Sequence, residues 1–126
     1  MMRHSGRTFT GGQVDRYLRR IGLRIPNQFE FDSNRLVVSM VSAGRGWAIT
    51  TPLALVATHY DPLLIDPRPL PSRSFSRHIV IISRGGEFGG LPHKLAATAA
   101  ALLSQFYQST VLQKMPWLEG ETLIGF

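Results

Sequence analysis

The 126-residue sequence contains no cysteine, which excludes disulfides, thiolate metal ligands and a cysteine nucleophile. Acidic residues are also scarce, with eight Asp and Glu against fourteen Lys and Arg. They are dispersed, so no pair of carboxylates is placed for acid–base catalysis. No apolar run is long enough to span a bilayer, and the first residues lack the apolar core of a signal peptide. These absences favour a cytoplasmic protein without a membrane segment.

The remaining candidates for chemistry are few. The chain has four histidines, His4, His59, His78 and His93, and no two are spaced i, i+4 as in a helical metal site. Ser5, His59 and Asp61 could be nominated as a serine triad, but no nucleophile elbow surrounds the serine. We therefore expect no catalytic residue, no metal and no cofactor.

The net charge of +6 has the sign that nucleic acids attract. The densest cluster lies in one short segment, and it consists of Arg16, Arg19, Arg20 and Arg24. No run of lysines occurs, and no aromatic residues alternate with the basic ones as in a base-stacking surface. The pattern favours a solvent-exposed helix face over a nucleic-acid interface.

Apolar spacing predicts four helices. The first begins near Thr10, at capping-box spacing from Gln13, and ends at Gly22. Asp32 or Ser33 caps the second, which ends at Gly44. Thr51 caps the third, with Pro52 at its first position, and Pro92 opens the fourth. The expected buried faces are Val14, Tyr17, Leu18 and Ile21; Leu36, Val37, Met40 and Val41; Leu53, Val56, Ala57 and Tyr60; and Leu95, Ala99, Leu102, Leu103 and Phe106.

Strands are predicted between these helices. "NQFEF" alternates Phe29 and Phe31 with polar residues, "GWAIT" is a short apolar run, and "PLLIDPRPLP" begins as a brief strand. "RHIVIISR" is the strongest strand pattern, whereas "GGEFGG" indicates a loop. The segment beyond about Gln108 has no clear period. Helices and strands alternate, which predicts a layered α/β fold.

The glycine-rich stretch "SAGRGWAITTP" admits two interpretations. A phosphate-binding loop needs a strand before the glycines and a helix after them, and here the predicted order is reversed. We therefore expect Gly44 to take the left-handed cap position and Gly46 to permit a tight turn. "SRGGEFGG" follows a strand but lacks the lysine and hydroxyl of a phosphate loop, so it predicts a turn.

Hydroxyl and amide side chains mark several predicted helix starts, at residues 5–10, 32–34 and 50–51. Helix N-termini at strand ends favour anions, because their N–H groups point outward. Such residues could hold a carboxylate, or they could serve only as helix caps.

Taken in order along the chain, these residues resemble a known family. The stretch from "GGQVDRYLRRIGLRIPNQFEFDSN" through "VSAGRGWAITTP" resembles the effector-binding domain of LysR-type transcriptional regulators. "PLPSRSFSRHIVIISRGGEFGGLP" and the alanine-rich segment after it resemble that family's return crossing. One departure is Arg45, which stands where the family usually has an aliphatic residue.

The resemblance implies an α/β periplasmic-binding-protein-like (type 2) lobe, with a mixed sheet flanked by helices and a second lobe that is incomplete. Lobe two would span residues 3–71, residues 72–108 would return to lobe one, and 109–126 would form a tail. The resemblance implies a small organic effector, which we expect to be anionic. Helix starts and hydroxyls lead us to expect effector contacts at Ser5, Thr8, Gly46, Trp47, Thr50 and Thr51.

The family's dimer packing implies an interface formed by Val14, Tyr17, Leu18, Ile21, Phe29 and Phe31. The family also has a winged helix-turn-helix, which this sequence lacks, so we expect the chain to be a fragment. DNA would be bound only through that absent domain, and we expect the chain to form homo-oligomers. Two alternatives remain open. One is a free-standing solute-binding module or enzyme of the same two-lobed fold, and the other is a non-functional remnant.

Overall fold

The computed structural model describes residues 1–26, 29–71 and 78–121, which fall into two compact units, Met1–Phe75 and Ser76–Phe126. Among its described residues, the first unit contains two strands and three helices. They are β1 (Met2–His4), α1 (Phe9–Arg20), β2 (Phe29–Phe31), α2 (Asn34–Ser42) and α3 (Pro52–Val56). The second contains α4 (Leu91–Phe106), a π-helical turn (Tyr107–Val111), α5 (Leu112–Lys114) and a 3₁₀ turn (Pro116–Leu118). The described elements are α/β and are compatible with the predicted fold class.

A β–α–β unit opens the chain. β1 and β2 pair in parallel, with Met2 opposite Phe29 and His4 opposite Phe31, and α1 provides the crossover that parallel strands require. β1 was not predicted, because three residues with a single apolar side chain carry no readable period. This pair is the whole sheet among the described residues, so the expected mixed sheet is not seen there.

Helix α1 begins slightly earlier than the sequence predicts. Its cap is Thr8, whose hydroxyl accepts a hydrogen bond from the Gly11 N–H at 3.0 Å. Its end is as expected: Gly22 has a φ of +70°, and the N–H groups of Gly22 and Leu23 bond to the carbonyls of Arg19 and Leu18. This Schellman arrangement satisfies carbonyls that the last helical turn leaves open.

The core of the first unit forms on one side of α1. Val14, Tyr17 and Leu18 are buried as predicted, whereas Ile21, the fourth residue of that stripe, is exposed. The apolar side chains packed against this core are Met1, Ile25, Ile49 and Leu70. The core therefore joins the helix to residues distant in sequence.

Helix α2 ends as predicted but buries a different face. Gly44 has a φ of +70°, and its N–H bonds to the Val41 carbonyl, which makes a second Schellman end. The buried residues are Val37 and Val38, so the prediction of a buried Leu36 is wrong. Nine residues are too few for apolar spacing alone to define the buried side within one position.

Helix α3 has the predicted start. Thr51 caps it by accepting from the Ala54 N–H at 3.3 Å, and Pro52 occupies the first turn. Of its expected stripe, Val56 and Tyr60 are buried, Leu53 is half-buried and Ala57 is exposed.

Three predicted strands are not formed by the described residues: 46–50, the start of 62–71, and 78–84. The first makes one ladder-like hydrogen bond, from the Met2 N–H to the Trp47 carbonyl at 2.8 Å. In the last, Ile79, Val80, Ile81 and Ile82 are all exposed. β-branched residues favour a strand only where a neighbouring strand or face covers them. The described ranges leave out residues 27–28, 72–77 and 122–126. They belong, in that order, to the predicted strand "NQFEF", to the return crossing and to the tail.

The second unit is dominated by α4, which starts at Leu91 with Pro92 in its first turn, as predicted. None of its residues is buried, so the expected buried face is wrong. The buried side chains lie instead in the segment that showed no period: Tyr107, Val111, Met115 and Leu118. Tyr107 and Val111 are the first and last residues of the π-helical turn, and Leu118 is the last residue of the 3₁₀ turn. Within the described helices, none combines the length and apolar character that a membrane crossing requires.

Candidate functional site

The carboxyl ends of β1 and β2 lie side by side, and each continues through a polar turn into a helix. The Ser5 N–H bonds to the Phe31 carbonyl at 2.9 Å, which extends the parallel pairing to the end of β1. Residues 5–8 then lead into α1, and residues 32–33 lead into α2. In open α/β sheets this edge is where ligands bind.

The turn from Ser5 to Thr8 is held by its own hydroxyl groups. The Ser5 carbonyl accepts from the Thr8 N–H at 2.9 Å and from the Thr8 hydroxyl at 2.7 Å. The Ser5 hydroxyl accepts from the Arg7 N–H at 3.4 Å. Both predicted effector contacts in this turn thus also act as local caps. Helix geometry leaves the N–H groups of Phe9 and Thr10 without an intrahelical acceptor.

Gly11 allows α1 to approach this turn closely. A Cβ at residue 11 would overlap the backbone carbonyl of Ser5, whereas a Cβ at Gly12 would meet nothing nearer than 3.9 Å. The first turn of α1 therefore rests directly on the backbone at the end of β1.

Asn34 connects the starts of α2 and α3. Its amide donates to the Ala54 carbonyl at 2.6 Å, and its side-chain oxygen accepts from the Thr50 hydroxyl at 3.1 Å. Thr50, a predicted effector contact, is thereby tied to the helix that follows β2, and Thr51 caps α3 beside it. The sequence marked Asn34 only as part of a polar helix start; its bridging role had no signal of its own.

Gly46 and Trp47 lie near the opposite end of β1. The Met2 N–H bonds to the Trp47 carbonyl, and a Cβ at Gly46 would stand 3.6 Å from the Met2 side chain. The Trp47 ring is half exposed. The structure therefore brings Ser5 together with Thr8 in one turn, and Thr50 together with Thr51 at the start of α3. It places Gly46 and Trp47 at the start of β1. Their contact with an effector stays a prediction.

Two arginine–aspartate pairs border the turn. Arg7 and Asp32 link the turns after β1 and β2 at 3.3 Å, and both side chains are largely exposed. Arg3 pairs with Asp15 on α1, and the Arg3 side chain is nearly buried. An exposed pair of this kind adds little stability, so Arg7 is available to an incoming anion at little cost.

His4 is buried at the end of β1, and its Nε2 has no hydrogen-bond partner within the described ranges. Burial lowers the pKa of its imidazole, because the charged form loses solvation. The ring is therefore neutral near pH 7.

The residues predicted for a dimer interface divide into two groups. Val14, Tyr17 and Leu18 are buried in the core of their own chain, whereas Ile21 and Phe29 are exposed and Phe31 is half-buried. A role at a dimer interface stays a prediction, and only the exposed pair can meet a partner without rearrangement.

The arrangement is suited to binding an anion through backbone N–H groups, hydroxyls and an exposed guanidinium. Within residues 1–26, 29–71 and 78–121, no three His, Asp or Glu side chains come together as a metal site would require.

The family model described as LysR substrate binding domain matches residues 1–106. Neither the curated proteins nor the solved structures include a significant match to the chain.

Proposed function

The chain belongs to the LysR substrate binding domain family, and we propose that it is the effector-sensing part of a LysR-type transcription regulator. The first unit would be lobe two of a periplasmic-binding-protein-like fold, spanning residues 3–71. Residues 72–108 would belong to lobe one, and 109–126 would form a C-terminal tail. As a regulator of transcription it would act in the cytoplasm, and no catalytic role is proposed.

One observation carries the proposal beyond the family. Two parallel strands end side by side, and each is followed by a polar turn and a helix N-terminus. The positive ends of α1 and α2 thus lie at one edge of the sheet, where they attract negative charge.

The proposed effector is a small organic anion. Its carboxylate would accept from the N–H groups at the start of α1 and from Arg7, whose guanidinium is held, among the described residues, by the exposed pair with Asp32. The hydroxyls of Ser5, Thr8, Thr50 and Thr51 would supply the polar contacts around it. Charge-assisted hydrogen bonds of this type are stronger than neutral ones, which favours an anion over a neutral ligand.

The experiment is chemical-shift mapping on the 126-residue chain, titrated with benzoate and with succinate. We expect shifts at residues 5–12 and 50–54, and none with the neutral amides of the same acids. Arg7→Gln should weaken binding by about tenfold, since one charge-assisted hydrogen bond contributes roughly 1.5 kcal/mol.

Arg84→Gln serves as the matched control, because Arg84 is exposed and forms an ion pair with Glu87 in the described part of the chain. It should leave binding unchanged. Shifts confined to α4, or equal shifts with the neutral amides, would exclude the proposed site.

The resemblance to the family also supports assembly with a second copy. We propose that Ile21 and Phe29, which are exposed, form part of that contact.

A further inference from the structure

The carboxyl end of α1 carries exposed apolar side chains between arginines. Ile21 and Leu23 are 39% and 47% exposed, and Arg19 and Arg24 on either side of them are exposed too. The Schellman turn keeps these residues close together, since the Gly22 N–H bonds back to the Arg19 carbonyl. We call Arg19, Ile21, Leu23 and Arg24 the α1-end patch. It combines two positive charges with two apolar side chains that face water.

The two arginines of the α1-end patch have no acidic partner within the described part of the chain. Neither takes part in the ion pairs formed there, and residues 16–24 contain no Asp or Glu. Protein interfaces bury apolar side chains at their centre and place charged ones at the rim. Ile21 and Leu23 between two arginines therefore fit a protein surface that carries an apolar anchor beside acidic groups.

The acidic residues of this chain provide one such surface. Four of the eight form ion pairs with arginines among the described residues, and they are Asp15, Asp32, Asp66 and Glu87. Asp61 accepts a hydrogen bond from the Leu63 N–H in its own turn, and Glu30 lies by itself on β2. Glu119 and Glu121 remain, and they are close neighbours in sequence.

Glu119 and Glu121 follow an exposed aromatic side chain in the second unit. The Glu121 N–H bonds to the Leu118 carbonyl, which closes a turn directly after Trp117. Trp117 is 40% exposed, and both glutamates are exposed and outside the ion pairs of the described residues. Residues 115–126 contain no Lys or Arg. We call Trp117, Glu119 and Glu121 the C-terminal turn, and its charge is opposite to that of the α1-end patch.

We propose that the α1-end patch of one copy binds the C-terminal turn of a second copy. The Trp117 ring packs against Ile21 and Leu23, since tryptophan is enriched among the residues that anchor protein interfaces. The two glutamates pair with the two arginines, whose guanidinium groups bond carboxylates in a matching planar geometry. The contact rests on the proposed assembly with a second copy, and it does not depend on the effector site.

Cross-linking between copies tests the contact directly. Arg24→Lys keeps the positive charge and supplies an amine, which a carbodiimide joins to a carboxylate in contact with it. The variant is prepared in isotope-labelled and unlabelled forms, which are mixed before the reaction. We expect mass spectrometry to find residue 24 linked to Glu119 or Glu121 in products that combine the two labels. Products of a single label only, or no such link, would overturn the proposal.

Arg45→Lys is the matched control for cross-linking, because Arg45 is exposed and lies outside the α1-end patch. It should give no mixed-label link to Glu119 or Glu121. Links from residue 45 as frequent as those from residue 24 would indicate random encounters between copies and would contradict the contact.

Reversal of charge measures how much the contact contributes to association. The double variant Arg19→Glu, Arg24→Glu should weaken association at least ~10-fold in sedimentation equilibrium, because like charges then face each other. Glu119→Lys, Glu121→Lys should have the same effect. An equimolar mixture of the two variants should recover association, since each altered surface then meets one of opposite charge. Unchanged association in both variants, or no recovery in the mixture, would overturn the proposal.

The control for charge is Arg35→Glu, Arg45→Glu, which makes the same change at two exposed arginines elsewhere. It should alter association by less than ~3-fold, since dispersed charge acts only through the screened overall field. A monomeric wild-type chain would overturn both the contact and the proposed assembly, whereas an oligomer without these cross-links would overturn the contact alone. Circular dichroism checks that the helices persist. If the reversed variants lose helix, the cross-linking of Arg24→Lys, which retains the charge, decides the test.

Discussion

Two adjacent glycines in α1 have opposite structural roles. Gly11 is buried and a Cβ there would overlap the carbonyl of Ser5, whereas a Cβ at Gly12 would make only ordinary contacts, at 3.9 Å or more. The sequence "TGGQ" does not distinguish them, because the need for glycine at residue 11 arises from the strand before the helix. That strand was itself invisible to periodicity.

This contrast gives a prediction at the scale of one residue. Gly11→Ala should lower the free energy of unfolding by about 1–3 kcal/mol, because the new methyl group would push α1 away from β1. Gly12→Ala, one position along, should be neutral or raise it by up to ~1 kcal/mol, since alanine favours helix over glycine. Urea unfolding monitored by circular dichroism measures both. Equal stability of the two variants would mean that α1 and β1 do not approach as described.

At the scale of the secondary-structure element, the sequence predicted the glycine-terminated helix ends, whereas it misplaced the start of α1. Gly22 and Gly44 both terminate their helices with a φ of +70°, since only glycine takes that conformation readily. The start of α1 was misplaced by two residues. "RTFTGGQ" offers two threonines, and the choice between them depends on the turn after β1, where Thr8 also bonds the Ser5 carbonyl.

The two threonines provide a direct test. Thr8→Ala should lower the free energy of unfolding by about 1 kcal/mol, because it removes the acceptor for the Gly11 N–H. Thr10→Ala should change it by less than ~0.5 kcal/mol, as expected of a position inside the first turn. Thermal unfolding of both variants is the measurement. A larger loss from Thr10→Ala would restore the capping box predicted from the sequence and contradict the present helix start.

The candidate site was predictable in its chemistry and only partly in its geometry. Hydroxyls at helix starts were evident in the sequence, and the structure places Ser5, Thr8, Thr50 and Thr51 at such starts. Gly46 and Trp47 were grouped with them because they are neighbours in sequence. The structure places them at the beginning of β1, where the Met2 N–H bonds to the Trp47 carbonyl.

At the scale of the whole molecule, apolar side chains are buried where they find neighbours, which the local pattern does not reveal. The segment 78–84 has the strongest strand pattern and α4 the longest apolar stripe, yet both are exposed. The four residues buried in the C-terminal segment lie instead in the short turns that follow α4. Pattern therefore predicted which residues form helices more reliably than which residues form the core.

The exposed face of α4 leads to the last prediction. Leu91, Leu95, Leu102 and Phe106 lie within one side of the helix, and Leu102 is 61% exposed. Contiguous apolar surface of this kind promotes association in water. We expect the chain to sediment as an oligomer at micromolar concentration, and the double variant Leu102→Gln, Phe106→Gln to shift it toward monomer without loss of helix. The matched control is Ala97→Gln, Ala101→Gln, which adds the same two glutamines to another exposed side of α4 and should leave the oligomer intact. If the first variant unfolds instead, these residues belong to a core, whereas a wild-type monomer with cooperative unfolding would show that the exposed face has no tendency to associate.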